Sequence, residues 1–284
     1  FANTIDINKS FSKEILSSSQ IFIDDTKTLT IKEITNNQVD FTDINDSIKK
    51  FGYSPNFNVW IKFTIHNSEN EPISKILEFD NSLVTNIALY ENELLINKEG
   101  LLNKKIDRRT VNPTFLINLD KNETKTYYME VYSKKTSLTL KLNLYSYDDF
   151  YSKEILHQII LSLFFGAMII LALYNLFIYF MIKDISYFYY VAYIVTLVLH
   201  HSLYVGFANL YLFNSDLMKY IVDYAAIFIS LPVLFLSLFS KSFLQTVQYR
   251  KINIVLNLLI GILVLSILFF SFTNYFEKYR NIIP

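Results

Sequence analysis

The chain has 284 residues, of which 52% are hydrophobic, 17% aromatic and 18% charged, and its 26 basic and 26 acidic side chains cancel. That charge fraction lies below the roughly 25% usual for soluble domains. The absence of cysteine excludes a disulfide framework, a zinc–thiolate site and a cysteine nucleophile, and no repeat of fixed period points to a solenoid or propeller.

The average conceals two unlike halves. Residues 1–154 hold 19 of the 26 Lys and Arg and 22 of the 26 Asp and Glu. The remaining 130 residues therefore carry almost no charge, and the break marks the best domain boundary, between 1–150 and 151–284. Phe1-Ala2 at the start resembles the small-residue end of a cleaved signal peptide.

The first half reads as short strands. Phe57, Val59, Ile61, Phe63 and Ile65 occupy alternate positions, the signature of a strand with one buried face. The same alternation recurs at Phe115, Ile117 and Leu119, at Tyr127, Met129 and Val131, and at Leu138, Leu140, Leu142 and Leu144. Shorter strands are expected near 20–24, 28–34, 74–80 and 84–90. About eight strands without a helical period predict an antiparallel sandwich, with a jelly roll as the preferred version. Trp60, the sole tryptophan, falls on the polar face of its strand beside Lys62, Thr64 and His66. There it serves either as a stacking platform for a sugar ring or as packing beneath a crossing loop. Tyr53 and Tyr90 share that choice. Arg108 and Arg109 read either as a clamp for a carboxylate or phosphate or as a solvated run following Lys104 and Lys105. Asp24-Asp25 and Asp148-Asp149 are poor general acid/base pairs, because neighbours in a strand face opposite sides, and read as solvated turns or strand ends.

The second half reads as membrane helices. Crossing a bilayer takes about 20 apolar residues. Spans are expected at about 155–182, 186–208, 220–240 and 252–272, with Pro232 inside the third. The inner loops would carry four basic residues against three outside, a small margin in favour of an external N-terminal domain. His157, His200, His201 and Asp223 lie in or beside the spans, where ionisable groups are functional candidates. Histidines on two helices admit a haem, although polar packing is the plainer reading. No Gly-rich phosphate loop, Ser/His/Asp spacing or metal motif is present, so neither a catalytic residue nor a metal ligand is expected in these regions.

Three stretches carry a family resemblance: Val59–Asn67 around the tryptophan; Val84–Tyr90 with Gly100, Arg108-Arg109 and Pro113-Thr114-Phe115; and Phe165–Met168, Leu173–Tyr179, Asp184–Tyr190 and Gly206. Together they resemble the bacterial seven-transmembrane receptors with diverse intracellular signalling modules, of the type 2 extracellular class. The resemblance implies a jelly-roll sensor, compared in that family to carbohydrate-binding modules, on a seven-helix bundle of which four helices are expected here. It further implies a small-molecule or carbohydrate ligand, the inner membrane of a bacterium, and a periplasmic N-terminal domain. A cytoplasmic output module in the same polypeptide, such as a histidine kinase or diguanylate cyclase, completes that pattern. A homodimer fits this picture, and neither a nucleic-acid partner nor a cofactor belongs to it. The rival readings are a membrane-bound redox or haem protein and a transporter subunit with an outer delivery domain. In the receptor reading, the short Tyr145–Ser152 segment is the coupling point between sandwich and membrane.

Overall fold

A computed structural model describes residues 4–36, 39–104, 108–134 and 136–272. Phe1-Ala2, expected to resemble the end of a signal peptide, and Lys105 lie outside the described residues. Strands come first: β1 (Thr4–Ile7), β2 (Lys13–Glu14) and β3 (Gln20–Asp24), then a short helix α1 (Ile31–Thr35). There follow β4 (Thr42–Asp43), β5 (Lys49–Tyr53), β6 (Asn58–Asn67), β7 (Ile73–Phe79), β8 (Asn86–Glu91) and β9 (Leu94–Glu99). The last strands are β10 (Thr114–Leu119), β11 (Thr124–Tyr132), β12 (Ser137–Leu140) and β13 (Leu142–Tyr145). Six α-helices follow among the described residues: α2 (Tyr147–Ile182), α3 (Ile185–Tyr204), α4 (Phe207–Tyr211), α5 (Ser215–Asp223), α6 (Ala225–Phe243) and α7 (Arg250–Phe272).

The chain divides into two compact units. The first comprises residues 1–156 together with Asn209–Lys219, and the second His157–Ala208 with residues 220–284.

In the first unit, one sheet has the order β4-β3-β6-β11-β8-β9, with β1 pairing parallel to the far end of β6, and a second has the order β10-β7-β13-β2. Apart from β1 the pairings are antiparallel, and the two sheets form a sandwich. Its core is the alternation expected from the sequence. Val59, Ile61, Phe63 and Ile65 on β6 meet Leu77 and Phe79 on β7, Phe115, Ile117 and Leu119 on β10, and Leu142 and Leu144 on β13. Each such side chain contributes about 1.5–3 kcal/mol through the water it sheds.

Two expectations need correction. The run of four alternating leucines is not one strand. Leu138 and Leu140 belong to β12, paired with β5, whereas Leu142 and Leu144 belong to β13 in the four-stranded sheet. All four stay buried because the chain changes sheet at Lys141 without losing its period. Residues 28–34 are likewise not a strand, since Ile31–Thr35 is helical. Thr30 and Glu33 form a capping box, and Asp24 accepts bonds from the backbone N–H groups of Thr26, Lys27 and Leu29. Those bonds turn the chain before a strand can continue. Asp24 is the last residue of β3, a strand end as one of the two readings has it, and it is buried rather than solvated.

In the second unit, α3 packs along α6, and α6 along α7. Among the described residues, three helices have the length and composition to cross a membrane: α2, α6 and α7. The second expected span, α3, has 20 residues but carries five tyrosines and two histidines, which lower its hydropathy. It also ends at Tyr204 rather than 208, because Gly206 adopts φ +81° and breaks the helix. The third span begins at Ala225, not 220, since Tyr220–Asp223 close the separate amphipathic helix α5.

Candidate functional site

The outer face of β6 is covered. Ile34 of α1 lies over Trp60 and Tyr128 in a small buried cluster, with Phe22, Leu29, Ile31, Val39, Phe41 and Tyr90 around it. The Trp60 ring is 1% exposed and lies 5.9 Å from the Tyr90 ring, tilted by 32°. It is thus packed beneath α1 in this conformation, not an open stacking platform. Lys62 sits 5.5 Å from the Phe41 ring and 5.7 Å from Tyr128, sealing the cluster's edge with a cation–π contact. The indole Nε1 of Trp60 is buried with no hydrogen-bond partner among the described residues. A buried unpaired donor of this kind costs about 1–3 kcal/mol. Tyr53 belongs elsewhere, on β5 in the two-stranded pairing with β12.

Next to Trp60 on the same face, Glu130 opposes it across β11 and β6. Glu130 accepts a bond from Asn58 Nδ2 at 2.8 Å. Burial pushes its carboxyl above the ordinary range, outweighing that bond and the nearby Lys98. Trp60, Tyr90 and Glu130 are thus grouped, and Glu130 is a residue the sequence reading missed. Its signal was available: a single acid within the alternating strand Thr124–Tyr132.

The two arginines part company. Arg108 is buried, its side chain 3% exposed. Its Nε donates to the Thr110 carbonyl at 2.8 Å, its Nη2 to the Val111 carbonyl, and its Nη1 pairs with Glu99 at 3.6 Å. Burial lowers its pKa, against the raising effect of Glu99 and Glu154. Arg109 is exposed. A joint clamp, or a joint solvated run, is not what this geometry provides, because the Arg108 guanidinium is committed to the protein. Gly100, just before this loop, has φ +130°, and an added Cβ would lie 2.6 Å from the Thr85 carbonyl oxygen. Only glycine fits there. Lys104, in the same loop, donates to the carbonyls of Asn209, Leu210 and Phe213 at the end of α4. An ammonium over the last carbonyls of a helix satisfies acceptors that the helix itself leaves open.

The outer face of the four-stranded sheet carries a second, charged cluster. One residue, Ser146, separates β13 from α2. The Ser146 hydroxyl accepts from the Asp149 N–H at 3.3 Å and donates to the Asp149 carboxylate at 2.7 Å. The Ser12 hydroxyl accepts from the Ser146 N–H and donates to Asp149. Asp149 is therefore a fixed helix-start residue. Phe150 is fully buried against Tyr145. Lys153 donates to both oxygens of Glu78, at 2.7 and 2.6 Å, and Glu78 is fully buried. Asn112 and Asn143 complete the Glu78 shell at 3.1 and 3.2 Å. Glu154, also buried, accepts from the Val111 N–H at 2.7 Å. Asp80 accepts from Lys141 at 2.6 Å and Asn112 at 2.8 Å. Burial alone would raise the Asp80 carboxyl, yet Lys141, Lys153 and Asn112 hold it below the ordinary range.

This seat was missed from sequence, apart from the short connection itself. Its signals were two charges inside β7, Lys75 and Glu78, and two more just before the uncharged run, Lys153 and Glu154. Lys75 is buried too, donating to the carbonyls of Lys9 and Phe11. It pins the segment that delivers Ser12 to the start of α2.

In the helical unit, the His201 ring lies 5.5 Å from Phe164 and 6.0 Å from Phe165, an aromatic packing position. His200 adjoins it on α3, His157 is in α2, and Asp223 is the exposed last residue of α5. No group of three or more His, Cys, Asp or Glu suited to a metal occurs among the described residues.

Two family models cover most of the chain. One described as "7TMR-DISM extracellular 2" matches residues 17–146, and one described as "7TM diverse intracellular signalling" matches 157–283. Comparison with curated proteins gives no match. Among solved structures, beta-glucosidase from Kluyveromyces marxianus in complex with glucose aligns at 12% identity, over 43% of this chain and 17% of that one, with a TM-score of 0.29. Its selenomethionine-labelled form aligns at 14% identity, over 43% and 16%, with a TM-score of 0.28. Scores this low carry no argument. The two family matches follow one another along the chain, the first on the sandwich and the second on the helices, and the chain belongs to the 7TMR-DISM family of transmembrane receptors.

Proposed function

We propose that this chain is the sensing and membrane-crossing part of a bacterial receptor whose sandwich binds a small molecule or a carbohydrate. In this reading the sandwich is periplasmic, the helices cross the inner membrane, and an output module in the same polypeptide lies in the cytoplasm. A histidine kinase or diguanylate cyclase is the expected output, and these two regions carry no catalysis themselves. The observation that carries the proposal is the join of β13 to α2 through Ser146 alone, with Glu78, Phe150 and Glu154 locking the first helical turns onto the sheet. A strand that runs into a helix without slack transmits a displacement, whereas a flexible linker absorbs it.

Inserting four Gly/Ser residues after Ser146 in the receptor with its output module tests this. Ligand response should be lost while the protein still reaches the membrane, and an unchanged response would end the coupling reading. The sugar reading has its own measurement, since the sole tryptophan reports on the covered face. Mono- and oligosaccharides titrated against the purified chain should shift Trp60 emission. A panel that leaves emission unmoved, with no binding heat, removes carbohydrate as the ligand class.

A further inference from the structure

The helix α5 carries three parallel stripes of different chemistry. At about 100° per residue, positions spaced three and then four apart share one side of a helix. Asp216, Lys219 and Asp223 make the first stripe, which is exposed and partly neutralised by the Lys219–Asp216 pair at 3.1 Å. Leu217, Tyr220 and Tyr224 make the second, one position on, and are exposed by 44%, 66% and 42%. Tyr224 keeps the helical course, since its N–H donates to the Tyr220 carbonyl at 3.0 Å. Met218 and Ile221 lie on the third side, buried and half-buried. A surface helix of a soluble domain buries its apolar side and wets its polar one. In α5 one apolar stripe is buried, and the other, next to the charges, is not.

We propose that the Leu217–Tyr220–Tyr224 stripe is seated in the bilayer, with α5 lying flat at the headgroup level of the leaflet on the sandwich's side. Three observations name lipid as the occupant. First, α6 has the length and composition to cross a membrane, and it starts one residue after α5. A single residue spans at most about 3.6 Å, so α5 cannot leave the membrane surface. Second, two of the three stripe residues are tyrosines, whose apolar ring and polar hydroxyl suit the membrane–water interface. Third, the charged stripe adjoins the apolar one, so a flat helix wets its charges while burying its rings. The leaflet follows from Lys104, a sandwich residue that donates to the carbonyls of Asn209, Leu210 and Phe213. Residues Asn209–Lys219 accordingly belong to the same compact unit as the sandwich. With Asp216 and Asp223 against Lys219, α5 has no attraction for anionic headgroups, so apolar area holds the seat. This inference is independent of which ligand the sandwich binds.

The sole tryptophan makes the depth measurable. In a Trp60→Phe background, Tyr220→Trp and, separately, Leu217→Trp place a reporter on the stripe, and Lys219→Trp places one on the charged side. The full chain is reconstituted in vesicles of phosphatidylcholine brominated either high on the acyl chains or near their ends. Circular dichroism verifies the fold of each variant. Both stripe reporters should lose about half their emission to the high bromines, which sit near the depth of about 5–10 Å reached by an interfacial helix. They should lose less to the deep bromines, and Lys219→Trp should lose little to either. Mixing in phosphatidylglycerol should leave these ratios unchanged. Blue-shifted emission that no bromine quenches in either stripe reporter means that protein covers the stripe, a second copy or another segment, and overturns the proposal. Red-shifted, unquenched emission places the stripe in water and overturns it too. Equal quenching of Lys219→Trp and the stripe reporters, or quenching that requires phosphatidylglycerol, does the same.

Discussion

The two sheets of the sandwich each carry a helix on their outer face, and the two helices are held by opposite chemistry. Over the larger sheet, α1 sits on aromatic and aliphatic surface, with Ile34 on Trp60 and Tyr128. Over the smaller sheet, the first turns of α2 are held by buried ions and amides, with Lys153 on Glu78 and Glu154 on the Val111 N–H. Apolar contact is non-directional, so α1 can slide or lift and lose free energy gradually. A buried ion pair with satisfied lone pairs is directional and loses heavily when one partner moves. Under the proposed function, the first would suit a cover that opens and the second a fastening that transmits force.

Breaking that contrast gives the largest expected effects. Trp60→Ala should destabilise the sandwich by about 3–5 kcal/mol, through lost transfer energy and the cavity left behind. Trp60→Phe should cost far less, because it keeps most of the ring and removes the unpaired Nε1–H. Thermal loss of the β circular-dichroism signal in detergent ranks the two. If Trp60→Phe were as damaging as the alanine, the indole nitrogen would have a partner.

The charged side has a different signature. Glu78→Ala leaves Lys153 and the Asn143 amide without their acceptor and should cost about 3 kcal/mol. The double variant Glu78→Met with Lys153→Met should recover most of that stability, since well-packed apolar pairs often match a buried ion pair. It should still weaken ligand response, because the directional fastening is gone. Recovery of both stability and response would show that the seat needs filling but not charge.

A smaller loss is expected at Gly100. Ala there combines a Gly-only backbone conformation with a clash against Thr85, worth about 1–3 kcal/mol by the cost of backbone strain. Denaturant midpoints check it.

The smallest effects are those of pH, and the two faces should respond in opposite senses. Asp80 has a depressed pKa, so its contribution is present above the ordinary value of 3.8 and is lost as pH falls through the folded value. Glu130 has a raised pKa, so its neutral form favours folding below the ordinary value of 4.5, and that contribution is lost as pH rises through the folded value. Glu130→Gln should therefore stabilise the sandwich at neutral pH, and Asp80→Asn should flatten the acid limb. A Glu130→Gln midpoint that falls at pH 7 would contradict the assigned direction.

Much of this architecture was legible beforehand because it rests on periodicity. Alternate residues along β6, β10 and β11 announced a two-faced sheet, and uncharged runs announced helices that water does not solvate. Tyr53, Trp60 and Tyr90 were singled out together, yet only Trp60 and Tyr90 are adjacent, and only the fold supplied Ile34 above them. Arg108 and Arg109 looked alike as neighbours in a loop. The fold buried one against Glu99 and left the other exposed, because local sequence does not record which side of a loop faces the core.

The sequence by itself determined the class of each half, since the hydrophobic pattern of a strand or a membrane helix is local and repeats over many residues. It also marked the short passage from β13 into the membrane helix. Tertiary structure alone decided which charges are buried together. Glu78, Asn112, Asn143, Lys153 and Glu154 come from four separate stretches of chain, and their partnership depends on sheet order, a long-range property that no single stretch carries. The same holds for α1, where a capping box and a buried Asp24 turned an expected strand into the cover of Trp60 and Tyr128.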